Sequence, residues 1–232
     1  MSIEQLTAKR TRIVPHSIKE SLPTMYDLPS ENPEDPGMPD QFHPIQAELL
    51  SNTFHPDYPP EEMLIGTDLH LYFDLDHQNW YKRPDWFVVL GVPHLYDNDL
   101  RMSYVMWQEK VAPYLVVELL SPSTKNEDLG KTKRRRNQPP TKWKVYEQIL
   151  RVPYYVLFSR HTNELKAYQL IGKRYRELIL SEKRLWLPEI KLGLRVWKGR
   201  YNLMERKWLL PHHKSFDKLP LVVNYKFTKG RK

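Results

Sequence analysis

Two carboxylates stand out by their settings. Glu118 interrupts the apolar run Leu115-Val116-Val117-Glu118-Leu119-Leu120, and Asp85, in Arg83-Pro84-Asp85, immediately precedes a second run, Trp86-Phe87-Val88-Val89-Leu90. An ionised carboxylate sunk among apolar side chains costs several kcal/mol unless something compensates it, or else it takes up a proton. A divalent cation is one such compensation, and hard oxygen ligands suit Mg²⁺, with Mn²⁺ as a substitute. If the two apolar runs are neighbouring strands, both carboxylates can reach one ion. Taken singly, each has an ordinary explanation: Glu118 could face outward at a sheet edge or pair with an arginine, and Asp85 could cap the turn after Pro84. Their joint pattern is what points to a metal site.

A second feature lies just beyond. Lys131-Thr132-Lys133-Arg134-Arg135-Arg136 places five cations in six residues. Runs of this kind are commonly solvated loops, but beside a metal centre this one would clamp phosphates and make binding strongly salt-dependent. The whole chain leans the same way: its 232 residues carry 36 Lys and Arg against 28 Asp and Glu, a formal charge of +8, with a pI near 9.4. Polyanions are therefore the favoured partners, nucleic acid above all. With no cysteine, disulfide scaffolds, thiolate metal sites and cysteine nucleophiles are excluded, which fits a reducing cytoplasm. The start of the chain, Met1-Ser2-Ile3-Glu4-Gln5, has no apolar stretch behind a basic start. No segment approaches the roughly 20 apolar residues of a membrane span, so a soluble cytoplasmic protein with no membrane partner is expected. The nine histidines, His212-His213 included, show no zinc-ligand spacing.

The elements that must position these residues follow from punctuation and periodicity. Residues 1–40 are rich in Pro, Ser, Asp and Glu towards their end, with Asn32-Pro33-Glu34-Asp35-Pro36-Gly37 opposing any continuous helix or strand, and are expected to form an extended arm. Phe42, Ile45, Leu49 and Leu50 are spaced as a helical stripe. Residues 63–73, 86–90 and 114–120 have strand character and are apolar on both alternating faces, as central strands covered on both sides would be. A helix is predicted over 141–150, a strand over 152–158 entered through Pro153, a hairpin of 164–170 with 174–180 around Gly172, and further strands from 187 onward. Strand, strand, strand, helix, strand implies an α/β (α+β) domain over 41–210, a mixed sheet with helices against it, followed by a basic tail over 211–232.

Pro84-Asp85 before a strand, Val117-Glu118-Leu119-Leu120-Ser121-Pro122-Ser123-Thr124, then a lysine-bearing helix and Val152-Pro153-Tyr154-Tyr155 together resemble the bacterial Uma-type restriction endonuclease family of the PD-(D/E)XK superfamily. The resemblance covers roughly residues 40 to 200. It implies a restriction-endonuclease-like fold, a mixed central sheet flanked by helices with extra C-terminal strands. It also implies a Mg²⁺-dependent endonuclease acting on DNA, with the metal held by Asp85 and Glu118 where two central strands diverge. The superfamily pattern expects a lysine two residues after the acidic residue, and here Leu120 stands there. In this family the lysine is displaced to the following helix, in a Lys-x-x-x-Tyr arrangement that Lys142 and Tyr146 match, and i, i+4 spacing puts the two on one helix face. Lys142 would then orient or help deprotonate a water, or stabilise charge on a phosphate. Lys131 and Lys133 are rivals, because extra residues stand between Gly130 and Thr141.

Asp68 and Glu48 are accessory acidic candidates, whereas Asp74 and Asp76 are explained by turn chemistry. The missing lysine at position 120 and the basic run (Lys131, Lys133, Arg134, Arg135, Arg136) also allow a nuclease-fold domain that binds nucleic acid without cutting it. A third alternative is a protein-interaction domain whose basic face recruits an acidic partner. Cutting both strands of a duplex takes two sites or two successive events, which makes a homodimer one expectation.

Overall fold

The computed structural model describes residues 40–121, 125–133 and 137–213, all within the unit Pro36–Lys232. The second unit, Met1–Asp35, with the expected arm, Pro122-Ser123-Thr124, residues 134–136 of the basic run and the chain beyond His213 lie outside the described residues. Along the chain come helix α1 (Phe42–Thr53) and strands β1 (Met63–Gly66), β2 (Leu71–Tyr72), β3 (Tyr81–Lys82), β4 (Trp86–Leu90) and β5 (Tyr104–Val105). Then follow the short helix α2 (Met106–Glu109), strand β6 (Leu115–Leu119), the one-turn helix α3 (Lys125–Asp128) and helix α4 (Lys142–Lys144), continued by a π-helical turn (Val145–Ile149). Strands β7 (Tyr154–Phe158), β8 (Leu165–Ile171), β9 (Arg174–Glu177), β10 (Arg184–Leu187), β11 (Leu192–Tyr201) and β12 (Met204–His212) complete the described chain.

Six strands form the central sheet in the order β1-β4-β6-β7-β8-β9. Neighbours within it are antiparallel except β6 and β7. That pair is parallel because the chain between them carries α3 and α4 across the sheet, and a parallel connection needs such a crossover. Two smaller sheets, β10-β11-β12 and β3-β2-β5, flank it. This is the mixed α+β arrangement expected of a restriction-endonuclease-like domain.

Alternation along the central strands divides the apolar side chains between two cores. Trp86 and Val88 of β4, Leu115, Val117 and Leu119 of β6, and Val156 and Phe158 of β7 pack with α1 and the β10-β11-β12 sheet. Phe87, Val89, Val116, Tyr155 and Leu157 pack with Val145 and Tyr146 of the π-helical turn and with Leu71 and Tyr104 of the small sheet. Cover on both sides is why these strands read as apolar at nearly every position. Helix α1 turns Phe42, Ile45, Leu49 and Leu50 inward, as their spacing predicts. Gln46 fastens it to β12, donating to the Leu209 carbonyl at 2.8 Å and accepting from the Leu209 N–H at 2.9 Å.

Two stretches depart from the sequence pattern. Residues 63–73 read as one strand but break after Gly66: Asp68 takes φ +50°, and β2 pairs with β3 and β5 instead of the central sheet. Strand β12 runs to His212, past the expected start of the basic tail. Its first half, Met204-Glu205-Arg206-Lys207, is polar, and only pairing with β11 makes it a strand.

Candidate active site

Strands β4 and β6 set Trp86 opposite Val117 and Phe87 opposite Val116. One more step in that register puts Asp85 opposite Glu118, but the ladder stops there and side chains take over the backbone groups. The Leu119 N–H donates to Asp85 Oδ2 at 2.6 Å, and the Asp85 N–H donates to Glu118 Oε2 at 3.3 Å. Glu118 is fully buried between Val116 and Leu120 on the α4 side of the sheet. Like charges directly opposite one another across a strand pair are destabilising, so this register needs partners that offset the charge.

Helix α4 and the π-helical turn that continues it supply two of Glu118's partners. Thr141 caps it, accepting from the Lys144 N–H at 3.2 Å. From the next positions Lys142 Nζ donates to Glu118 Oε2 at 2.8 Å and the Tyr146 hydroxyl donates to Oε1 at 2.9 Å. The i, i+4 pair thus meets both oxygens of one carboxylate. Leu120, standing where the superfamily pattern has its lysine, is buried in the core instead.

Asp128, at the end of α3, was missed by sequence reasoning. It is 1% exposed, and its Oδ1 lies 3.6 Å from Lys142 Nζ. Two contacts bring it there. The Tyr155 hydroxyl donates to the Asp128 carbonyl at 3.0 Å. Gly130, at φ +70°, leaves room for Trp143, whose ring would meet an added Cβ at 2.8 Å. A polar run without periodicity disguises a one-turn helix, and the residues between Gly130 and Thr141 separate Asp128 from the lysine it pairs with. An aspartate two residues before a glycine that takes positive φ was the one available signal.

The remaining candidates lie elsewhere. Glu48 is exposed on the outer face of α1. Asp68 pairs with Arg83, and Asp74 accepts from the Asp76 N–H and pairs with His77, as turn chemistry predicts. Lys131 and Lys133 are exposed, whereas Lys142 is the lysine bonded to Glu118.

Burial dominates the titration of this group. It pushes Glu118 up to about 7, with the Asp85 charge adding to the rise and Lys142 and Tyr146 opposing it. Burial also raises Asp85, against Lys142, His43 and the Leu119 N–H. For Lys142 burial works downward, but Glu118, Asp128 and Asp85 together hold it well above its ordinary value, so it stays an ammonium. With Glu118 and Asp128 both turned to Lys142 and Asp85 beside Glu118, the group is rich in carboxylate oxygens, the donor chemistry that suits a divalent cation. Among the described residues no three His, Cys, Asp or Glu side chains converge as a ready-made cage. The donors present nonetheless fit Mg²⁺, which typically takes one or two carboxylates, keeps several waters and shares phosphate oxygens with its substrate.

A family model with the description "Uma2: Putative restriction endonuclease" matches residues 20–197. The chain belongs to the Uma2 family. The match takes in Asp85, Glu118, Asp128, Lys142 and Tyr146. Uma2 membership makes this a nuclease-family protein, with nucleic acid as the corresponding substrate class. No curated protein matches it. Among the described residues no helix is long and apolar enough to cross a membrane.

Proposed function

We propose that this Uma2 protein is a Mg²⁺-dependent endonuclease that hydrolyses phosphodiester bonds in DNA. The observation that carries the reading is the pair Asp85 and Glu118, facing each other where β4 and β6 part, with Lys142 bonded to Glu118. Asp85 and Glu118 would hold the ion. Bound there, Mg²⁺ supplies Lewis acidity, polarising the phosphate and lowering the pKa of a water.

The protein's own groups do the rest. Lys142 remains protonated, so it donates: it orients the attacking water or stabilises the negative charge that builds on the phosphate, and it is not the base. Tyr146, whose hydroxyl is held well above its ordinary value by burial and by Glu118, stays neutral and keeps Glu118 in its rotamer. Asp128 holds the Lys142 ammonium over the pair. Lys131 and Lys133, with Arg134, Arg135 and Arg136, follow Asp128 within eight residues and would grip the DNA backbone.

Incubation of plasmid DNA with the full chain and Mg²⁺ or Mn²⁺ tests this. Wild type should cut, and Asp85→Ala and Glu118→Gln should each cut more slowly by about 10²-fold or more. Equal cutting by all three overturns the assignment. Salt-sensitive DNA binding with no products in any of them would instead make the chain a nuclease-fold binding domain.

A further inference from the structure

A buried histidine reaches the same strand from the α1 side of the sheet. His43 is 2% exposed, and nothing in the proposed chemistry uses it. Its Nε2 lies 2.9 Å from the Leu119 carbonyl oxygen and its Nδ1 2.9 Å from Asp40 Oδ1. Burial works to raise Asp40, but His43, Arg160 and the Phe42 N–H outweigh it and bring this carboxyl down to about 2. A carbonyl and an ionised carboxylate can only accept, so both ring nitrogens donate and the ring is an imidazolium. Arg160 Nη2, 2.9 Å from Asp40 Oδ2, holds the other side of that carboxylate.

A buried cation is an expensive way to pack a helix, and α1 is already fastened to β12 by the neutral Gln46. What the charge faces is more specific. Leu119 is the residue whose N–H holds Asp85 Oδ2 at 2.6 Å, and the next N–H, of Leu120, is bonded to the Phe158 carbonyl at 2.8 Å. The end of β6 is therefore gripped on three sides: by His43 at the Leu119 carbonyl, by Asp85 at the Leu119 N–H, and by β7 at Leu120. Remove the first and Leu119 is free to tilt with the carboxylate it holds.

We propose that His43, held by Asp40, is a positioning residue that acts through the Leu119 backbone to fix the Asp85 carboxylate in the site. The expected effect on cation binding rests on the reading that Asp85 and Glu118 hold a divalent ion, whereas the effect on Leu119 itself does not. Outer partners of a metal ligand typically matter by ~10–100-fold in affinity, and His43 reaches Asp85 through one of them, the Leu119 N–H.

The test uses the whole 232-residue chain as wild type, His43→Leu and His43→Gln, the last of which keeps a donor that can reach the Leu119 carbonyl. Amide hydrogen exchange in metal-free protein, followed by NMR, should show protection at Leu119 falling by ~10-fold or more in His43→Leu relative to Val117 of the same strand. Titration with Mn²⁺ alone should show Kd rising by ~10–100-fold in His43→Leu, with His43→Gln recovering most of both effects. Equal protection and equal Mn²⁺ affinity in wild type and His43→Leu overturn the proposal, as does a His43→Gln that matches His43→Leu in both. Lost Leu119 protection in His43→Leu, with no Mn²⁺ bound even by wild type, supports the positioning bond and removes the cation reading instead.

Discussion

At Glu118 four influences meet: burial, the opposed Asp85, and the two donors Lys142 and Tyr146. Burial wins, and the sign of the consequence is fixed by it. A carboxyl whose folded pKa lies above its unfolded value binds more protons in the folded state across that window. In metal-free protein, the stability Glu118 contributes is therefore fully present below pH 4.5 and lost as pH rises to about 7. Glu118→Gln, neutral throughout, should lose less stability than wild type between pH 5 and pH 8 in chemical denaturation; parallel curves would contradict the raised pKa. A cation needs the ionised form, so Mn²⁺ affinity should climb through the same window and level off above about 7, with proton release seen by calorimetry. Tyr146→Phe removes the donor from Glu118 Oε1 and should lower unfolding stability by about 1–3 kcal/mol, with urea denaturation as the measurement.

The elements that carry the site differ in how plainly they were written. Strands β4 and β6 were legible because full burial on both faces leaves an unbroken apolar run, against which Asp85 and Glu118 stand out. Lys142 and Tyr146 were legible through the family resemblance, whose Lys-x-x-x-Tyr arrangement they match, although the π-helical turn that begins at Val145 was not. Helix α3 could not be read, because its one turn is stabilised by distant contacts, from Tyr155 to its end and between Trp143 and Gly130, and not by local propensity. The small β3-β2-β5 sheet was missed for a similar reason: strands of two residues carry no period. The α3–α4 contact makes its own prediction. Gly130→Ala puts a Cβ at positive φ against the Trp143 ring and should destabilise the fold by about 1–3 kcal/mol. Cleavage should fall with it as Asp128 and Lys142 separate. Thermal unfolding together with a DNA cleavage assay checks both effects, and unchanged values in both would mean α3 does not depend on this packing.

For the whole molecule, the formal charge of +8 acts at longer range than any of these contacts. If phosphates are the partner, log affinity for DNA should fall linearly with log salt, with a slope of about −0.9 per phosphate neutralised. Replacing Lys131, Lys133, Arg134, Arg135 and Arg136 by alanine should flatten that slope, while Asp85→Ala leaves it nearly unchanged. A slope unaffected by the five replacements would place the DNA contact elsewhere. Charge and fold class were visible in the sequence at this scale, because composition and the order of strands and helices need no tertiary contact to be read. The meeting of α3, α4 and the divergent strand pair was not, since it joins residues 85, 118, 128 and 142 through the crossover. Anomalous diffraction from crystals soaked in Mn²⁺ would show whether that meeting holds an ion. One ion bonded to both Asp85 and Glu118 at about 2.1 Å, with its remaining places filled by water, is the expected result. Ordered carboxylates with no ion between them, or an ion bound only elsewhere on the surface, would contradict it.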